Sequence, residues 1–466
     1  MSKGGSLVKN TLIIAVGKLS TQFLTFLLLP LYTAFLSPDE YGALDLIVVY
    51  IGLLAPTLTA QMEMAVFRHL IDARKNTSKT PIVLSSSFAV AVGGIALGVL
   101  IACMFSIFIQ NNLTPYITAL FATTVLVNFF LQAARGLDRT DVYAVGSIIT
   151  GLINTILSVI ALTVLHMSLE GVLLASIIAN LIGSLFLIYK TRVWKNIKPA
   201  LVKKETVKSL LGYSWPLVPN HVALWGIGGI SRSIIAGVLG LAAAGVYAAA
   251  NKFTMIFSAF HNIFYMSWTE SVSLHLGKPG DFLSNVTNSA FKIFGSLSLI
   301  IIAGSTVLFP FLVANEFADA KYYIPILILG GFFMSVVSHY GSIYLAAKET
   351  GKIAQLTLQA VIISTLLTLA GVWFIGLYAP AIAILITYMY LAFRRHYEIQ
   401  RLVKIKIETS TYIPLLVIAI IVLILYYIDN TVTNVVSVIF AVIASAAINK
   451  NDIYKIKNMI LRKGRA

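Results

Sequence analysis

Long apolar runs alternate with short polar connections along the whole chain, and this pattern predicts an architecture before any single residue is weighed. Fourteen runs are candidates to cross a bilayer as helices, which takes about 20 apolar residues. They are 9–36, 42–68, 82–109, 115–134, 142–166, 168–189, 210–238, 243–269, 286–313, 322–347, 353–375, 377–393, 411–428 and 431–448. None has the short length and two-residue alternation of a barrel strand. The first run follows the polar stretch Met1–Lys9 and is too long for a cleaved signal-peptide core, so it is expected to be retained. The longest polar connection, about 190–209, leaves no room for a soluble catalytic domain. The expected fold class is an all-α polytopic membrane protein.

Composition agrees. Of 466 residues 58% are apolar and 11% charged, against about 45–50% and 25% in soluble domains. A soluble enzyme is excluded. Cys103 is the one cysteine, so a disulfide scaffold is excluded too. The net charge of +16 changes the picture only through its placement. Alternate connections and the two chain ends hold 29 of the 34 Lys and Arg residues, whereas the opposite connections hold only Lys321. By the positive-inside rule both termini are expected in the cytoplasm, with membrane lipid as the partner of the basic loops and no nucleic acid.

Lys18, Arg232, Lys252 and Lys292 remain inside the runs. Each costs about 2.5–3.5 kcal/mol at a helix centre, so a cavity or a partner is expected for it. Snorkelling accounts for Lys292. Lys18, Gln22 and Thr25 share one helical face, as do His221, Trp225, Gly228 and Arg232. The acids Asp45 and Glu63 lie at compatible spacing with Gly52, Pro56 and Thr59 on the second run. Two readings stand open: a net-basic cavity for an anionic ligand, or internal pairing such as Asp45 with Arg232. Asn251 and other neutral amides suit helix–helix hydrogen bonds or sugar hydroxyls. Trp225 is a candidate to stack on a sugar, while Trp215 and Trp268 suit interfacial anchoring.

Gly17 and Pro30 in the first run, and Pro216, Pro219 and Gly228 in the seventh, are candidate hinges. These two runs correspond in a faint duplication. An offset of 206 aligns Tyr41 with Tyr247, and one of 213 aligns Ala133-Ala134-Arg135 with Ala346-Ala347-Lys348. Two parallel six-helix lobes, 1–200 and 201–405, are therefore expected, followed by two extra helices and a basic tail over 406–466. No phosphate-binding loop, HExxH, CxxC or GxSxG pattern occurs, and the histidines do not cluster as metal ligands. Neither a metal nor a cofactor is expected.

Five segments carry a resemblance: Leu36-Ser37-Pro38-Asp39-Glu40-Tyr41-Gly42, Ala134-Arg135-Gly136-Leu137-Asp138-Arg139, Tyr213-Ser214-Trp215-Pro216-Leu217-Val218-Pro219, Ala244 to Lys252, and Ala346-Ala347-Lys348. In order and spacing the chain resembles the polysaccharide repeat-unit (Wzx-type, O-antigen) flippases of the multidrug/oligosaccharidyl-lipid/polysaccharide exporter superfamily. The resemblance implies a transporter, not an enzyme. It would move undecaprenyl-pyrophosphate-linked oligosaccharide across the bacterial cytoplasmic membrane by alternating access. It further implies a monomer, with polysaccharide polymerase machinery as a neighbour. On this reading Lys18, Gln22, His221, Trp225, Arg232, Asn251 and Lys252 are substrate-binding candidates by position, and Asp45 and Glu63 are ion-coupling candidates. The alternatives are a lipid II flippase and a drug or cation antiporter of the same superfamily. The four-to-two excess of basic over acidic residues inside the runs disfavours the antiporter.

Overall fold

The computed structural model describes residues 22–108, 111–276, 281–452 and 454. Gly17 and Lys18 lie outside the described residues. Every regular element among them is helical. The helices are α1 (Gln22–Phe35), α2 (Pro38–Leu58), α3 (Met62–Ala73), α4 (Thr80–Phe108), α5 (Thr114–Gly136), α6 (Thr140–Val159), α7 (Leu169–Thr191) and α8 (Lys204–Ser214). They continue with α9 (Leu217–Val238), α10 (Leu241–His275), α11 (Phe282–Leu312), α12 (Ala320–Ala346), α13 (Thr350–Ile375), α14 (Tyr378–Ile399), α15 (Thr409–Ile428) and α16 (Thr431–Ile448). Within the described residues each apolar run coincides with helix, and ten of these helical stretches are long and apolar enough to span a membrane.

Two runs are not single helices. The second breaks between α2 and α3, where Ala60 and Gln61 adopt left-handed backbone with φ of 51° and 56°. The expected common face for Asp45 and Glu63 is therefore lost, because the two acids sit on different helices. Pro56 prepares the break: it has no N–H to donate, which frees the carbonyl of Gly52 four residues earlier. The seventh run breaks at Trp215 and Pro216, between α8 and α9. Pro216 precedes the first turn of α9, and Pro219 lies within that turn.

The chain divides into two compact units, Met1–Gly245 and Val246–Ala466. In the first unit the recurring motifs have plain structural causes. Ser37 and Glu40 form a reciprocal capping box with Pro38 at the first helical position, which starts α2. Gly42 faces the backbone of Leu241 and Gly245, and Gly245 faces that of Pro38, so a Cβ at either glycine would collide with main chain. Arg74 closes the C-terminus of α5, donating from Nε to Gly136 O at 2.7 Å and from Nη2 to Arg135 O at 2.7 Å. Its Nη1 pairs with Asp138 at 2.9 Å.

In the second unit α11 is the organising helix. Asn288 donates to Lys406 O at 2.8 Å and accepts from Glu408 N at 3.2 Å and Tyr412 Oη at 3.0 Å. It thereby fixes the connection that leads into α15. Lys292 pairs with Asp452 at 2.8 Å, with both side chains largely buried. This replaces the expected snorkelling: an acid beyond α16 reaches the lysine first. Trp268, expected at an interface, is 2% exposed. It donates to His339 O at 3.0 Å and stacks on the His339 ring with centroids 4.0 Å apart.

One turn in each unit ends its helix with the same hydrogen bonds. After α5, the N–H groups of Leu137, Asp138 and Arg139 donate to Ala133, Arg135 and Ala134 O. After α12, those of Ala347, Lys348 and Glu349 donate to Ile343, Leu345 and Tyr344 O. Asp138 and Lys348 take the same left-handed backbone, φ 67° and 62°.

Candidate functional site

The polar face of α9 packs along α2, and both helices lie in the first unit. Arg232 Nε stands 3.0 Å from Asp45 Oδ2, with side chains 19% and 15% exposed. Of the two readings open for these charges, internal pairing is the arrangement present. Two turns nearer the start of α9, the Trp225 indole N–H donates to Val49 O at 3.0 Å. One further turn on, His221 Nε2 lies 3.0 Å from Gly52 O. A carbonyl only accepts, so the ring must donate through Nε2. This is the carbonyl that Pro56 leaves free, so a proline on one helix creates the acceptor for a histidine on the other. Tyr50 and Ser233 add a hydroxyl pair at 2.7 Å.

Local sequence explains the fit. Residues 221, 225 and 232 recur on one helical face. Gly229 has no side chain because its Cβ would enter the Trp225 ring, whereas a Cβ at Gly228 would meet nothing within 4 Å. Tyr50 and Trp225 pack with centroids 5.6 Å apart. The strip is one charge pair, two side-chain bonds to backbone carbonyls and one hydroxyl pair, along a contact otherwise made of apolar groups. Chemically it is a guanidinium paired with one carboxylate, on a strip whose other polar bonds run to main chain or between two hydroxyls.

The structure brings together Asp45, His221, Trp225 and Arg232. Glu63 stays apart from them at the start of α3, half-buried and without an ion pair among the described residues. Gln22 is half-buried on α1, and Pro30 lies within the same helix. In the second unit, Asn251 accepts from Thr254 at 2.9 Å, and Lys252 is half-buried on α10. No grouping of three or more metal-ligating residues occurs among the described residues.

Sequence reasoning missed Arg395, which it placed in a basic connection. It is 5% exposed, donates to Val337 O at 2.7 Å, and has no ion pair among the described residues. Gly341 makes room for it, since a Cβ there would stand 2.9 Å from Nη1. The one available signal was a small residue on α12 opposite a run of basic ones, too weak to read without the contact. Tyr50 and Ser233 were missed because each is ordinary for its helix taken alone.

Comparison with known proteins places this geometry. No curated protein sequence matches the chain. Among solved structures, the lipid II flippase MurJ in an inward closed conformation superposes with a TM-score of 0.69 at 13% identity, covering 96% of this chain and 100% of that one. An inward-facing multidrug resistance MATE family transporter of the MOP superfamily gives 0.61 at 16% identity, covering 84% and 98%. A MOP superfamily transporter from Pyrococcus furiosus, described as having a binding pocket of reverse polarity, gives 0.54 at 14%, covering 85% and 95%. These likenesses are of fold. The family of polysaccharide biosynthesis proteins matches residues 7–269, more than half of the chain and a stretch that includes the whole α2–α9 strip. The chain therefore belongs to the polysaccharide biosynthesis protein family and carries the all-helical membrane fold of the MOP superfamily transporters.

Proposed function

We propose that the protein is a flippase that moves undecaprenyl-pyrophosphate-linked oligosaccharide repeat units from the inner to the outer leaflet of a bacterial cytoplasmic membrane. The observation that carries this reading is the Asp45–Arg232 pair within the matched region. A guanidinium inside a span is costly to insert and suits phosphate oxygens in a fork geometry. Asp45 holds it in the resting arrangement. A diphosphate offers more charge and more acceptor oxygens, so it displaces the carboxylate and takes Arg232. Asp45 is then free to accept a proton, which makes it, with Glu63, the point where an ion gradient couples to transport.

Lys18 and Gln22 are assigned to the same headgroup from the first span. His221 and Trp225 border it on α9, and Asn251 and Lys252 are assigned to substrate binding as well. Gly17, Pro30, Pro216, Pro219 and Gly228 are assigned as hinges about which the spans reorient. The basic connections face the cytoplasm, as do both termini. The protein works as a monomer beside the polysaccharide polymerase machinery.

Reconstitution in liposomes with undecaprenyl-pyrophosphate oligosaccharide tests the reading, with headgroup access followed from outside. Wild type is expected to translocate the lipid, and Arg232→Ala to lose translocation while inserting normally. Efflux of a soluble cation without lipid movement would assign the chain to the drug-antiporter alternative. The fold shared with the lipid II flippase over 96% of the chain favours one second reading, lipid II itself. Offering both lipids to the same liposomes separates the two.

A further inference from the structure

A cavity of about 230 Å³ lies in the second unit, at the end opposite to the basic connections. It is formed where the end of α11, the start of α12 and the α15–α16 turn meet. Its polar lining includes Lys321, Tyr322, Tyr426, Tyr427, Asp429 and Asn434. Lys321 is the one basic residue in the connections at that end. Its Nζ binds Asp429 at 2.7 Å and stands 5.1 Å from the centre of the Tyr322 ring.

An interfacial aromatic belt would send tyrosine hydroxyls towards headgroups and water. Here the hydroxyls are turned back to the protein: Tyr426 donates to Lys321 O at 2.7 Å and Tyr427 to Tyr322 O at 3.1 Å. The rings of Tyr426 and Tyr427 are thereby fixed, and Tyr427 and the neighbouring Tyr322 stay 48% and 40% exposed. Asp429 is held in left-handed backbone and receives a second bond from Asn434 Nδ2 at 3.2 Å.

The combination asks for one ligand chemistry. Exposed aromatic faces match the C–H face of a pyranose, and the half-exposed Lys321–Asp429 pair offers a donor and acceptors to its hydroxyls. The paired Lys321 and Asp429 leave no net charge to attract an ion. The volume lies below the roughly 300–1,000 Å³ of drug-sized sites, so it suits a single ring. We infer that this cavity is a saccharide subsite that takes one neutral pyranose of the glycan on the extracytoplasmic side. Its physiological ligand rests on the flippase reading; its chemistry does not.

The test is saturation-transfer NMR on the full chain in lipid nanodiscs, with free galactose and free N-acetylglucosamine as probes. Wild type is expected to transfer saturation to ring protons of at least one of them. Tyr322→Ala removes a ring while keeping the backbone acceptor of Tyr427, and is expected to cut the signal at least fivefold. Tyr427→Phe keeps the ring and is expected to retain it. Should a variant fold poorly, hydroxyl-radical footprinting of wild type is expected to show protection of Tyr322 and Tyr427 by the saccharide. Absence of both signal and protection in wild type, or equal signals in wild type and Tyr322→Ala, would overturn the inference. Lipid translocation by wild type separates the outcomes. Translocation without saccharide binding removes the subsite alone, and saccharide binding without translocation removes the flippase reading alone.

Discussion

Two buried arginines, one in each unit, show what a membrane helix does with a charge it cannot expose. Arg232 in the first unit faces a carboxylate, Asp45, at 3.0 Å. Arg395 in the second is the more deeply buried, yet its described partner is a backbone carbonyl, Val337 O, at 2.7 Å. A paired charge can be released to a competing anion. A charge tied to main chain and seated over Gly341 has nothing to exchange, and it serves as a brace between α12 and α14. The difference separates a candidate site from a structural element carrying the same side chain.

The sharpest way to break this comparison is to strand one charge. Asp45→Ala leaves Arg232 without its carboxylate and is expected to cost about 3–5 kcal/mol, read as a lowered melting temperature in detergent. Asp45→Ala combined with Arg232→Met is expected to recover most of that loss. Arg395→Met leaves no orphaned charge behind, only an unfilled bond to Val337 O, and is expected to cost about 1–3 kcal/mol. Equal losses for Asp45→Ala and Arg395→Met would erase the distinction.

A smaller effect tests the two repeated turns. Arg74 closes α5 from outside the turn, where it is partly exposed. Arg74→Ala is expected to cost about 1 kcal/mol. The turn after α12 has the same backbone bonds, so residues 343–349 are expected to keep their amide-exchange protection in this variant while 133–139 lose theirs. The smallest effect is in pH. The hydrogen bond from Lys321 holds the Asp429 carboxyl below its usual range. Its folded pKa is depressed, so its stabilising contribution is present above the ordinary aspartate value of about 3.9. That contribution is lost as pH falls through the lowered one. Thermal melts of wild type and Asp429→Asn are expected to differ at neutral pH and to converge in acid.

Much of this architecture was legible in the chain. Apolar length placed the helices because a bilayer demands about 20 apolar residues per span, and the isolated charges 45 and 232 stood out against that background. The capping box at Ser37 and Glu40 was present in a segment that also carried the family resemblance. What could not be read depended on contact. Arg395 sits in a basic run, Arg394-Arg395-His396, so its burial left no trace in composition. Asp452 was counted within a basic tail, yet it neutralises Lys292. The break at Ala60 and Gln61 has no glycine to announce it. Its nearest sign was Pro56, four residues earlier and inside the helix.

The central claim is that the substrate's diphosphate and Asp45 compete for Arg232. Its most direct test is the binding of undecaprenyl-pyrophosphate oligosaccharide to the protein in nanodiscs. Asp45→Asn removes the competing charge and is expected to tighten binding about tenfold, equivalent to about 1.4 kcal/mol. Arg232→Ala is expected to weaken it by at least as much. Weaker binding in Asp45→Asn, or unchanged binding in Arg232→Ala, would contradict the account.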